Sequence, residues 1–323
     1  MREALFIKKN KDRWLKIQQE PSQDPDEMAA DFTQLVNDLA YAKTFYPSGK
    51  VTGFINSQAS KIYLDIYKNR KEESNRLVTF WKYDLPLTIR KHYKVMLFSL
   101  ALFLLFASIG FFLAKKDESL LVSMMPAGYD IETTKENIRE GNPFEVYEHG
   151  NVFLSWLHLM IHNIRVSFIM FVSGIFCGIP SMFMAAKNAV MLGGFDQLFA
   201  SRGFGVDFWL VVFVHGTLEI TALILASGAG LILGKSFLFP GTIKRMDAFK
   251  QGAKDGVKIM IGLMPVFALA AFFEGFITRL YNNISWFTTF IFGLSVVFVA
   301  WYFIIYPIRL GKKFKAQLNE EEV

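Results

Sequence analysis

The residues of this chain that could do chemistry are a few ionisable and amide groups buried in long apolar runs. Ser155, His158, His162 and Arg165 follow i, i+3, i+7, i+10 spacing, which places them along one face of a helix, with Asn163 beside them. His215 and Glu219 are spaced i, i+4 in a second run, and Glu274 lies in a third. Each such group is costly in hydrocarbon unless it meets a partner or water, so His158, His162, Asn163, Arg165, His215, Glu219 and Glu274 are read as one intramembrane polar cluster. The commonest role of such a cluster is to clamp helices together. A proton, ion or polar-solute pathway is the sharper alternative. His215-x-x-x-Glu219 has metal-ligand spacing, but there is no H-E-x-x-H and the chain holds only five histidines, so neither a metal nor a cofactor is assigned. With no G-x-S-x-G elbow and no P-loop, no catalytic residue is named and a non-enzymatic protein is expected, an intramembrane metallohydrolase being the weakest of the alternatives.

A second set of residues points to packing. Ala226, Gly230 and Gly234 recur every four residues inside one apolar run, as do Gly174 and Gly178 in another. Gly228-Ala229-Gly230 therefore reads as a small-xxx-small helix contact and not as a nucleotide loop. The single cysteine, Cys177, precludes a disulfide within the chain.

The elements that must position these groups are membrane helices. Of 323 residues 52% are hydrophobic and only 20% charged, which excludes a disordered or a wholly soluble class. Residues 1–94 are polar, carry 17 Lys/Arg against 12 Asp/Glu, and show no signal peptide. Phe32, Leu35, Leu39 and Ala42, then Phe54, Ile55, Ala59, Ile62 and Ile66 after the Tyr46–Gly49 break, keep helical spacing and predict two or three amphipathic helices. Phe80, Trp81, Tyr83, Pro86, Arg90, Lys91 and Lys94 predict a membrane-surface segment at the end of this domain. Residues 95–114 are 20 uncharged residues, one hydrocarbon thickness at 1.5 Å per residue. The loop 115–151 is acidic, with eight Asp/Glu against four Lys/Arg, and is expected outside. Residues 152–308 form a bundle, in which the Gly178-Ile179-Pro180 break divides one long run into 152–177 and 181–200. Further spans are 208–234, 257–278 and 285–308, and 309–323 is a basic tail. The basic connection 235–256 and that tail predict both termini on the cytoplasmic side, with about six membrane segments in all. The fold class is thus all-α: a polytopic helical membrane protein with a small helical cytoplasmic N-terminal domain.

Several of these residues resemble a known family. Asn163-Ile164-Arg165-Val166, the Gly174/Gly178 pair, Asn188 with Gly193, His215-Gly216-x-x-Glu219 and Glu274-Gly275-Phe276 follow in the order found in the stage II sporulation protein M family. The N-terminal Phe6-Ile7, Arg13-Trp14, Asp38-Leu39-Ala40 and Leu85-Pro86 with Arg90 are similar as well, so the resemblance extends over nearly the whole chain. It implies a multi-pass protein of a bacterial or archaeal plasma membrane, and carries no catalytic residue over. In spore formers the namesake works in a membrane complex with peptidoglycan-degrading partners, which implies a component of a cell-envelope assembly. Val214 stands where the family often places a proline before the His-Gly pair, so a helix break at this point is not expected. The expected function is a non-enzymatic scaffold or assembly component, with transport through the polar cluster as the alternative. The expected partners are membrane lipids and membrane or envelope proteins, including a second copy of the chain, and not nucleic acid.

Overall fold

A computed structural model describes residues 3–19, 21–22, 24–68, 76–125, 131–144, 151–278 and 285–321. The described residues are helical throughout, with no strand among them. They divide into two compact units, Met1–Arg76 and Leu77–Val323.

The first unit holds α1 (Glu3–Gln19), α2 (Pro25–Phe45) and α3 (Lys50–Lys68). α2 starts where Asp24 caps it by accepting from the Asp26 amide, with Pro25 in the first turn and Asp26 and Glu27 facing the positive end of the helix dipole. The predicted apolar faces meet in one core of Phe6, Trp14, Ile17, Leu35, Ala42, Ile55, Ala59 and Ile62, while the side chain of Ile66 lies outside the described residues. Asp38 ties α2 to α1: it accepts from the Trp14 indole at 2.8 Å and pairs with Arg13.

The second unit begins earlier than the charge pattern suggests. A short helix α4 (Arg76–Thr79) runs through a π-helical turn, Phe80–Asp84, into α5 (Leu85–Lys91). The sequence assigned this segment to the N-terminal domain as a surface segment. In the structure Leu85, Pro86, Thr88 and Ile89 are buried, and a Cβ at Gly262 would overlap the Leu85 side chain. Tyr302 and Tyr306 donate to the carbonyls of Trp81 and Lys82, both at 2.8 Å, which satisfies backbone groups of the π-turn.

Helix α6 (Tyr93–Lys116) is followed by the short α7 (Leu120–Met124) and α8 (Ile131–Glu140), then by α9 (Val152–Ser173), α10 (Ile179–Ala200), α11 (Gly205–Leu238) and α12 (Arg245–Phe272). A π-turn, Phe273–Ile277, ends α12. The last element runs as α13 (Ser285–Val299), a π-turn (Ala300–Ile305) and α14 (Tyr306–Glu321). Among the described residues five helices are long and apolar enough to cross a membrane: Tyr93–Lys116, Val152–Ser173, Gly205–Leu238, Arg245–Ile277 and Trp286–Ala316. α10 is not among them, with Lys187, Asn188 and Asp196 in its 22 residues. The basic connection is also shorter than expected, because α11 and α12 extend into it and leave only 239–244 between them.

α11 is the axis of the bundle, in contact with α6, α9, α10, α12 and α13. The break between α9 and α10 lies against it. Cys177 (φ 59°) and Gly178 (φ 79°) both take left-handed backbone, which reverses the chain in five residues and sets Pro180 in the first turn of α10. A Cβ at Gly174 would fall on the Gly230 backbone, one at Gly234 on the backbone of Gly178, and one at Gly230 on Ser181. α6 and α10 cross in the same manner, through Gly110 against Val190 and Gly193 against Ala107. Lipid gives no hydrophobic drive between helices, so close packing of this kind holds them.

Charges fasten the ends. Asp255 of α12 accepts from Lys91 at 2.7 Å and contacts the ring of His92 at 2.8 Å. At the far end Glu118, after α6, meets Arg202, after α10, at 2.8 Å and Lys135 of α8 at 3.3 Å. Partial burial alone would raise the Glu118 carboxyl, but hydrogen bonds and charge from Arg202 and Lys135 hold it below its ordinary value.

Gly230→Leu forces a side chain into Ser181 and the Met170 carbonyl, whereas Gly293, also in a span, has open space around its Cα. Overpacking of this kind costs about 1–3 kcal/mol or more. Thermal unfolding in detergent is expected to show a large loss for Gly230→Leu and almost none for Gly293→Leu. Equal tolerance of the two would contradict the close approach.

Candidate functional site

The polar residues named from the sequence fall into two groups. His215, Glu219 and Glu274 converge, with one ligand-type atom from each lying within 4.8 Å of the others. His215 and Glu219 share a face of α11 because four residues make just over one helical turn. Glu274 reaches them from the π-turn that ends α12. An extra residue in a helical turn re-aims the side chains around it, and such turns recur at functional sites. Asn163 of α9 lies beside Glu219 as its polar neighbour from a third helix.

His215 is buried, and its Nδ1 lies 3.2 Å from Thr278 Oγ1. Thr278 Oγ1 also lies 3.1 Å from the Phe273 carbonyl. A hydroxyl has one proton to give and lone pairs to accept with, so Thr278 holds a hydrogen bond to Nδ1 in either tautomer of the ring. Around these groups the bundle is apolar: Leu218, Ala222, Val266, Phe267 and Ala270 are all buried in its main core. The arrangement brings two partly buried carboxylates and a buried imidazole together within the bundle. Chemically it suits holding a cation or a shared proton.

His158, His162 and Arg165 do not join this group. All three lie on the exposed side of α9, the two imidazole rings stacked at 6.3 Å. The reason is angular. Asn163 sits about 100° around the helix from His162, so only one of the two faces can turn toward α11. The helix spends its inward face on Asn163, Ser167, Met170 and Phe171.

The packing residues lie where two backbones meet: Gly174 and Gly178 against Gly230 and Gly234, with Ala226 fully buried one turn away. Gly110 was not anticipated as a packing residue, and Gly193 only as part of the family pattern. Thr278 was missed as well, although its position four residues after Glu274 places it on the same face. Asp255, within the basic connection 235–256, is the acceptor for Lys91 and His92. Elsewhere in the bundle an apolar cavity of about 640 Å³ lies between α6, α10, α11 and α13, with Asp196 and Trp209 bonded to each other at 3.1 Å in its wall.

The family model for stage II sporulation protein M matches residues 99–279, more than half of the chain. The chain belongs to that family. The match takes in the first span, the glycine contacts and the whole His215–Glu219–Glu274 site. It does not reach the N-terminal unit, so the resemblance over nearly the whole chain narrows to the membrane part. Residues 4–68 match a separate model, a domain of unknown function (DUF8413), whose limits fall within the first compact unit. Neither the curated proteins nor the solved structures contain a match.

Thr278→Val keeps the shape of the side chain and removes the hydroxyl that bonds His215 Nδ1. Loss of one partner of a buried hydrogen bond costs about 1–3 kcal/mol. Unfolding of the purified variant is expected to show a loss in that range, with Thr278→Ser retaining most of the stability. A Thr278→Val protein as stable as the parent would contradict the His215–Thr278 hydrogen bond.

Proposed function

We propose that this family member is a non-enzymatic assembly component of the plasma membrane, one that recruits other envelope proteins through its membrane helices and its N-terminal unit. The observation that carries this reading is the exposed polar face of α9. His158, His162 and Arg165 lie on the outside of the chain. Arg165 is 13 residues beyond the first residue of a 22-residue span, near its middle, where an arginine facing lipid alone is strongly disfavoured. A partner helix with acidic or polar groups relieves that cost, and interhelical polar contacts are a known adhesive between membrane helices. The separate helical unit at residues 1–76 offers a second attachment point.

The proposed topology has six crossings with both termini in the cytoplasm. α10 supports it despite its polar residues: it starts beside Gly234 near the end of α11 and finishes beside Glu118 at the end of α6, so it runs the length of its neighbours. Asp196 is partly buried and bonded to Trp209 of α11 at 3.1 Å, whereas Lys187 lies on the exposed face of α10. A second reading, transport of a proton or cation, has the His215–Glu219–Glu274 site in its favour, because scaffolding does not require it.

A photoreactive amino acid placed at His162 or at Arg165 tests the assembly reading in native membranes. Leu104, an exposed residue of α6, serves as the control. Positions 162 and 165 should give one discrete protein adduct, which Arg165→Leu in the other position diminishes, and Leu104 should give none. Lipid adducts alone from all three positions would count against assembly and leave transport as the better account.

A further inference from the structure

We propose that His215, Glu219 and Glu274 bind a divalent first-row transition-metal ion of the zinc class inside the bundle. This inference goes beyond the assembly reading and does not depend on it. The three ligand atoms lie within 4.8 Å of one another, close enough for a single ion to reach all of them after small side-chain adjustments. Imidazole nitrogen and carboxylate oxygen bind zinc at about 2.0–2.2 Å, and three protein ligands with one open position are a common arrangement. One nitrogen and two carboxylates also select against calcium and magnesium, which take oxygen ligands almost exclusively.

Charge supports the assignment. Two ionised carboxylates with a neutral imidazole carry two negative charges, which a divalent ion cancels. Among the described residues neither glutamate pairs with a lysine or arginine, and the arginine of the same span region, Arg165, faces outward. Without a cation, two carboxylates this close hold a proton between them instead of both ionising, and a divalent ion takes the place of that proton.

The surroundings of the ligands are those of a metal site as well. A metal-bound imidazole usually gives its other N–H to an oxygen, which fixes the ring. His215 has such an oxygen in place, Thr278 Oγ1 at 3.2 Å from Nδ1. Asn163 lies beside Glu219 as a polar neighbour. Glu274 owes its direction to the π-turn, an irregular element that helix packing alone does not demand. The ligands come from α11 and from the end of α12, and the ion would therefore pin these two helices together.

The full-length protein, purified in detergent without chelator, is the material for the test. Elemental analysis should find about one zinc, iron, cobalt or manganese ion per chain. After chelation and dialysis, zinc added back should bind at the same ratio and raise the unfolding temperature. Glu219→Gln and Glu274→Gln should lose that binding, and Asn163→Ala should weaken it by about 10–100-fold. The exposed pair on α9 is the obvious adventitious site, so His158→Ala with His162→Ala must keep the ion. If a glutamate variant does not fold, X-ray absorption on the zinc-loaded parent decides instead, and one imidazole with oxygen ligands is the expected shell. The proposal fails if the chelated parent takes up no zinc at this ratio, or if zinc is lost with the α9 histidines and retained by both glutamine variants.

Discussion

Contact between backbones along α11 is the constraint on which the membrane part of this protein depends. Helices in lipid gain nothing from hiding apolar side chains from one another, so they must touch closely or bond across the gap. Gly230 and Gly234 let the α9–α10 turn sit directly on α11, and Gly110 with Gly193 do the same for α6 and α10. With α9 held at that distance, Asn163 reaches Glu219. The glycine contacts near one end of α11 and the polar site nearer the other are therefore parts of one arrangement, because the same two helices make both. Removing the close approach would move Asn163 away from the carboxylate it supports.

That arrangement also explains why two carboxylates survive inside an apolar bundle. An isolated buried charge is expensive, and replacing ionic groups by apolar ones is often neutral or stabilising. Such groups persist where they perform a task or where partners surround them. Here the partners are His215, Asn163 and, through the imidazole, Thr278. The histidines and arginine of α9 lie on the other, exposed side of the same helix. One helix thus carries a polar face turned into the bundle and a second turned outward.

Much of this was legible from residue types and spacing, because hydrocarbon enforces simple rules. Uncharged runs of about 20 residues, the Gly178-Ile179-Pro180 break and the four-residue repeat of Ala226, Gly230 and Gly234 correspond to helices, turn and close contacts. The i, i+4 pair of His215 and Glu219 follows directly from helix geometry. Less legible was which side of α9 turns inward, since a stripe of polar residues looks the same whether it faces the bundle or a partner. The π-turns escaped the reading because a helix with one extra residue keeps its apolar composition, and only its angular phase changes. The N-terminal boundary shifted for a related reason. Leu85 and Ile89 sit among charges and read as surface, but the bundle covers them.

Glu219 and Glu274, 55 residues apart in the chain, meet in one site of the bundle. A double-mutant cycle of Glu219→Gln and Glu274→Gln, measured as unfolding free energy in a reversible detergent system, tests it most directly. Residues that share a site show coupling of about 0.5–3 kcal/mol, whereas distant residues add to within about 0.5 kcal/mol. The account predicts clear coupling, with the double variant differing from the sum of the singles by more than that margin. Simple additivity would mean that the two carboxylates do not meet.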